Sequence, residues 1–130
     1  MTNPTIDLPT HVRDYFDALH ELDRQAFLGC FVEDAVTRDP YGGPVYEGRS
    51  GLQKFFDGVE KTWASFDMAP QAAFSGGDRL AVPWRTVAVA KNGKRAEFSG
   101  VNVFTVADNG RIRELDAYWD FRAMIAQIRD

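Results

Sequence analysis

Three polar residues stand in apolar settings in this chain and are of types that could do chemistry together. Asp39 ends the run Ala35-Val36-Thr37-Arg38, just before a sharp Pro40-Tyr41-Gly42-Gly43-Pro44 turn. Pro40 biases Asp39 away from helical dihedrals, so its carboxylate projects from extended backbone. At a spacing of two it shares a face with Ala35 and Thr37. Facing inward it is partly desolvated and a candidate general base; facing outward it is an Asx-type turn bonded to nearby amides. Tyr15 lies on the apolar side of a helical pattern, where its hydroxyl is either satisfied within the core or aimed into a cavity as a donor. Asn102 shares a face with Phe98, Gly100 and Phe104. A buried amide without partners is costly, so it bonds to backbone at an irregularity or waits for a ligand oxygen.

Helical periodicity comes first along the chain. Thr10 reads as the cap of a helix carrying Val12, Tyr15, Phe16, Leu19 and Leu22, and Asp23 as the cap of a second with Ala26, Phe27, Cys30 and Phe31 inward. A third helix opens at Gly48-Arg49-Ser50-Gly51 and carries Leu52, Phe55, Phe56, Val59 and Trp63 as one stripe. From Phe66 onward the pattern is extended, with strands expected over 66–75, 79–91, 95–107 and 111–119. Asn92-Gly93 and Asp108-Asn109-Gly110 mark hairpins. Helices followed by strands indicate a single α+β domain in which an antiparallel meander is covered on one face by helices.

Register decides which residues meet. Matching apolar faces on the last two strands sets Asn102 beside Ala117, because the alternative would bury Asp116. An unbroken two-residue hairpin at Asn92-Gly93 would pair Trp84 with Val101 and turn it away from the Asn102 face. Only a bulge would bring it back.

Composition narrows the function. The chain has 130 residues, 45% hydrophobic and 26% charged, and its ten Phe, four Tyr and three Trp suffice to line a cavity as well as fill a core. A net charge of −4 and a pI near 5.1 exclude a basic nucleic-acid footprint. Cys30 is the single cysteine, so no internal disulfide or cysteine metal cage forms. His11 and His20 do not share a helical face, which disfavours a metal pair. The start Met1-Thr2-Asn3-Pro4-Thr5-Ile6-Asp7 lacks a basic, apolar leader, and no run reaches membrane-spanning length, so a cytoplasmic location is expected. Asp116 and Asp120 read as a solvated strand edge.

Glu33-Asp34-Ala35-Val36-Thr37-Arg38-Asp39-Pro40-Tyr41-Gly42, then Gly48-Arg49, Asn109-Gly110-Arg111-Ile112 and Ala117-Tyr118-Trp119, resemble the steroid delta-isomerase (ketosteroid isomerase) family over nearly the whole chain. That family belongs to the nuclear-transport-factor-2-like, polyketide-cyclase-like superfamily. The resemblance implies a cone of curved antiparallel or mixed sheet with three N-terminal helices closing an apolar cavity. It sets Asp39 on the general base and Tyr15 on the oxyanion-hole tyrosine. Asn102 stands where the family usually has a protonated aspartic acid, and Phe31 and Phe56 where it often has tyrosines. An amide still donates, though more weakly than a carboxylic acid. Ketosteroid isomerase is itself a standard illustration of carboxylate pKa tuning, and the implied mechanism is the family's.

The resemblance also implies no cofactor or metal, a flat apolar ligand of steroid or polyketide type, and a homodimer paired through the exposed sheet face. Candidate walls for the ligand are Phe56, Trp84, Phe104, Leu115, Ala117 and Trp119, each of which could equally be plain core. Other readings are a cyclase, lyase or hydrolase of the same superfamily, or a binding module without catalysis. Epoxide hydrolysis would need a further Asp/Arg pair in the pocket, with Arg38 or Arg85 turned inward.

Overall fold

Proline and aspartate punctuate the helices. The computed structural model describes residues 6–130, and the stretch 1–5 of the leader reading lies outside the described residues. Helix α1 (Thr10–Glu21) begins after Pro9 at the cap, so Thr10 is its first helical residue rather than the cap. It buries Val12, Tyr15, Phe16, Ala18 and Leu19. Asp23 caps α2 (Arg24–Gly29) as expected, accepting from the Ala26 amide at 3.1 Å. Helix α3 (Gly48–Thr62) buries Gly51, Leu52, Phe56 and Val59, and Trp63 already begins the next strand.

The strands are β1 (Phe31–Arg38), β2 (Val45–Glu47), β3 (Trp63–Pro70), β4 (Phe74–Gly76), β5 (Arg79–Ala90), β6 (Arg95–Val106) and β7 (Ile112–Trp119). They form one mixed sheet in the order β2-β1-β7-β6-β5-β3, with β4 also on β5. β3, β5, β6 and β7 are the expected antiparallel meander; β1 joins β7 in parallel. A fourth helix, α4 (Phe121–Ile128), was not expected: Asp120 is no strand edge but its cap, accepting from the Ala123 amide at 3.0 Å. Asp116 instead pairs with Arg38 at 2.7 Å. No described helix is long and apolar enough to cross a membrane.

Two registers place the interior. Asn102 lies opposite Ala117, as matching faces require. The β5–β6 hairpin departs from the two-residue reading: Ala90 N donates to Lys94 O at 2.8 Å and Gly93 N to Ala90 O at 2.9 Å, and Gly93 has φ +87°. Three residues, Lys91 to Gly93, therefore make the loop, a turn closed by a left-handed glycine. The shift pairs Trp84 with Gly100, not Val101, and turns the indole to the Asn102 face.

The inner face then reads Ala35, Thr37 and Asp39; Leu115, Ala117 and Trp119; Gly100, Asn102 and Phe104; Val82, Trp84 and Thr86. Gly100 has a steric role. A Cβ there would stand 2.7 Å from Trp119 Cβ and 2.8 Å from Trp84 Cζ2, and closer still to the Tyr118 carbonyl. Its missing side chain lets the two indoles approach, with ring centroids 6.3 Å apart. Gly100→Ala should therefore destabilise the fold by about 1–3 kcal/mol through overpacking, read as a fall in urea midpoint at unchanged slope.

Candidate active site

Asp39 emerges from β1 where the chain turns onto β7. The Tyr41 amide donates to Ala117 O at 2.7 Å and pins that turn. With Arg38 opposite Asp116 in the parallel ladder, Asp39 comes level with Ala117 on the inner face, and Trp119 is the next inward residue of β7. Trp119 Nε1 donates to Asp39 Oδ1 at 2.6 Å, and the carboxylate is 9% exposed. Burial pushes Asp39 up to about 6, against the smaller opposing pull of the Trp119 hydrogen bond.

Tyr15 and Asn102 meet behind it. Tyr15 is fully buried, its ring edge-on to Phe16 and Phe104 and within 6.2 Å of Phe31. Asn102 Nδ2 donates to the Tyr15 hydroxyl at 3.3 Å, and Trp84 Nε1 donates to Asn102 Oδ1 at 2.8 Å. Burial holds the Tyr15 phenol well above its ordinary pKa, the Asp39 charge adds to this, and the Asn102 hydrogen bond works the other way. Tyr15 is therefore a neutral hydroxyl over the physiological range. Cys30 is a buried thiol, pushed up to about 12 chiefly by burial.

A partly open cavity of about 260 Å³ is lined by Asp39 and Tyr15 together, just below the roughly 300–1,000 Å³ of ligand sites. Of the candidate walls, Trp84 and Trp119 line it. Phe56, Phe104, Leu115 and Ala117 do not. Phe104 and Leu115 are paired across β6 and β7 and fill the narrow end, with Phe104 packed on Tyr15 and Phe16. Ala117 fills the space beside Asn102. Phe56 turns onto Phe27 with centroids 5.1 Å apart, and Phe55, one position or about 100° earlier on the helix, reaches the cavity instead. Asn102 itself is completely buried and does not line the cavity.

Several lining residues were not anticipated. Phe98 stacks on Trp119 at 5.3 Å, and α4 contributes Phe121, Met124 and Ile125. The spacing Phe121, Met124, Ile125, Ile128 after Asp120 is a legible helical stripe with a cap. Arg38 and Arg85 both face away, Arg38 onto Glu114 and Asp116 and Arg85 onto Glu97. Among the described lining residues Asp39 is the only carboxylate.

Residues 12–115 match the SnoaL-like domain, and the chain belongs to that NTF2-like family. Among solved structures it is similar to the epoxide hydrolase/cyclase-like enzyme SalBIII of pyran ring formation in polyether salinomycin, at 27% identity and TM-score 0.77, covering 88% of this chain and 91% of that one. It is also similar to an NTF2-like protein of unknown function from Burkholderia pseudomallei, at 26% identity and TM-score 0.79 over 93% and 96% of the two chains. TerC, crystallised with polyporic acid, shares the fold at 18% identity and TM-score 0.80 over 93% and 97%.

The raised carboxylate has a stability consequence. A folded-state pKa near 6, above the ordinary value of about 3.9, contributes stability that is complete below pH 4 and lost as pH rises through 6. Asp39→Asn should therefore gain stability on the order of 2–3 kcal/mol relative to wild type at pH 7 and little at pH 4. Urea unfolding of both proteins at the two pH values measures it. An equal difference at both would refute the desolvated site.

Proposed function

We propose that the protein is an acid/base isomerase acting on a flat, enolisable ketone of steroid or steroid-like type. The observation that carries the reading is that one desolvated carboxylate and one neutral phenol line the same apolar cavity. In a β,γ-unsaturated ketone, the Asp39 carboxylate removes the proton on the carbon between carbonyl and double bond. The C–H electrons pass into a dienolate whose oxygen accepts a hydrogen bond from Tyr15. The Asp39 acid then returns the proton to the γ-carbon, leaving the conjugated enone. Nothing is consumed, because one carboxylate takes and gives the same hydrogen. The ketone-bearing ring enters the cavity, and the rest of a fused skeleton extends toward its open side.

A cyclase reading draws on the similarity to SalBIII, since an acid titrating near 6 could also protonate an opening epoxide. Its hydrolytic form lacks the second carboxylate and the inward arginine such chemistry uses. A binding module without catalysis would bind steroids and leave them unchanged.

The outer sheet face supports the homodimer. Ala81, Pro83, Val101 and Val103 are half-buried in adjacent register, and they run into exposed Tyr118, on which Tyr41 stacks at 5.1 Å. A homodimer covers this apolar strip. Sedimentation equilibrium should give a dimer that Val101→Glu dissociates, and a monomeric wild type would remove the idea.

With a 5-ene-3-ketosteroid, conjugated enone should accumulate at rates that rise with pH through about 6 as Asp39 ionises. Asp39→Asn should abolish turnover. Trp119→Phe removes the hydrogen bond that favours the carboxylate, so its acid limb should move to higher pH. An inactive wild type at high enzyme concentration, or an unmoved limb, counts against the proposal.

A further inference from the structure

The geometry points to Trp84 as a positioning residue that fixes the direction of the Tyr15 hydroxyl through Asn102, making Tyr15 an obligate donor to the ligand. This deepens the function proposed above and rests on it for the identity of the ligand oxygen. An asparagine amide can stand in either of two orientations, and the two differ in which end is a donor. Trp84 removes the choice. An indole N–H only donates, so the amide oxygen must face it, at 2.8 Å, and the amide nitrogen must face Tyr15, at 3.3 Å.

Tyr15 Oη accepts from Asn102, so its own proton has to leave in another direction. Among the described residues the hydroxyl donates to no side chain or backbone group, and the Asn102 oxygen points to Trp84 while the amide nitrogen faces Tyr15. The open direction is the cavity that Tyr15 lines. Trp84, Asn102 and Tyr15 are 2%, 0% and 0% exposed, so water does not compete within the chain of bonds. The site therefore recognises an acceptor oxygen, a carbonyl or enolate, and discriminates against a ligand group that only donates. Asn102 acts through Tyr15, without touching the ligand, and its weaker acidity relative to a carboxylic acid is offset by an orientation it cannot lose.

Without the indole N–H, the amide is free to rotate and offer its oxygen to Tyr15, which draws the hydroxyl proton away from the cavity. The test compares 2-naphthol with naphthalene, flat aromatics that differ by one oxygen, by calorimetric titration of wild type and Trp84→Phe. The wild type should prefer 2-naphthol, and Trp84→Phe should lose about tenfold of that preference, read as the ratio of the two affinities so that the change in the apolar wall, common to both ligands, cancels. Equal losses for both ligands, or no preference in the wild type, would overturn the proposal. A second measurement needs no variant and no ligand: nuclear Overhauser contacts should join the Asn102 amide protons to the Tyr15 ring, and finding them against the Trp84 indole proton would overturn it equally. A protein that shows this orientation and the 2-naphthol preference yet turns over no ketone would retire the isomerase reading and leave the Trp84 assignment standing.

Discussion

An ionisable carboxylate kept out of water is the constraint around which this interior is built. Desolvation of Asp39 is unfavourable, and one hydrogen bond from Trp119 opposes it. That bond exists only because β1 lies parallel to β7, an arrangement that brings the end of one strand beside the end of the other. A parallel partner added to an otherwise antiparallel meander is thus what delivers the acid. The charge it strands in an apolar cavity is a cost borne by the fold, of the kind that recurs where pKa values are tuned for proton transfer.

Three further polar side chains of the interior are wired to one another rather than to solvent, whereas the buried hydroxyls of Thr37 and Thr86 have no partner. Trp84, Asn102 and Tyr15 form a continuous series across β5, β6 and α1, with Phe27 and Phe104 packed on its Tyr15 end and Phe98 on its Trp84 end. Behind the series the cone is filled: Phe104, Leu115 and Phe31 leave no room for ligand, so the usable space lies between the series, Trp119 and α4. Gly100 is the element that makes this partition possible, because it lets two indoles serve two different polar residues from neighbouring strands.

Much of this was legible in the sequence. Asp39, isolated before Pro40, carried its signal in residue type and position, and the register that seats Asn102 beside Ala117 followed from keeping Asp116 out of the core. The walls were harder to read. Residues that share a sheet face are alike in periodicity, yet Trp84 and Trp119 border space whereas Phe104 and Leu115 fill it, a difference set by how far along the cone each lies. Phe55 and Phe56 differ by one helical step, and only the packing of Phe56 onto Phe27 tells which ring is left to the cavity. The amide of Asn102 looked free because its partner, Trp84, is eighteen positions away and faces it only through an irregular hairpin. Helix α4 is hidden because Asp120 continues the polar alternation of the strand before it, although the stripe after it has the right spacing.

The hairpin of β5 and β6 makes a discrete selector out of loop length. Trp84 stands six residues from Ala90, about 20 Å along an extended strand, yet whether its ring faces inside or outside is decided by the parity of the count between Ala90 and Lys94. With β6 held in place by β7, a one-residue slip of β5 at this bend would turn Trp84 outward and bring Pro83 and Arg85 to face the interior without altering any interior codon. Length variation at this surface bend is therefore a route by which related chains could rewire the chamber in a single step, and aligning them by gap position at the tip would sort them by what their cavities hold.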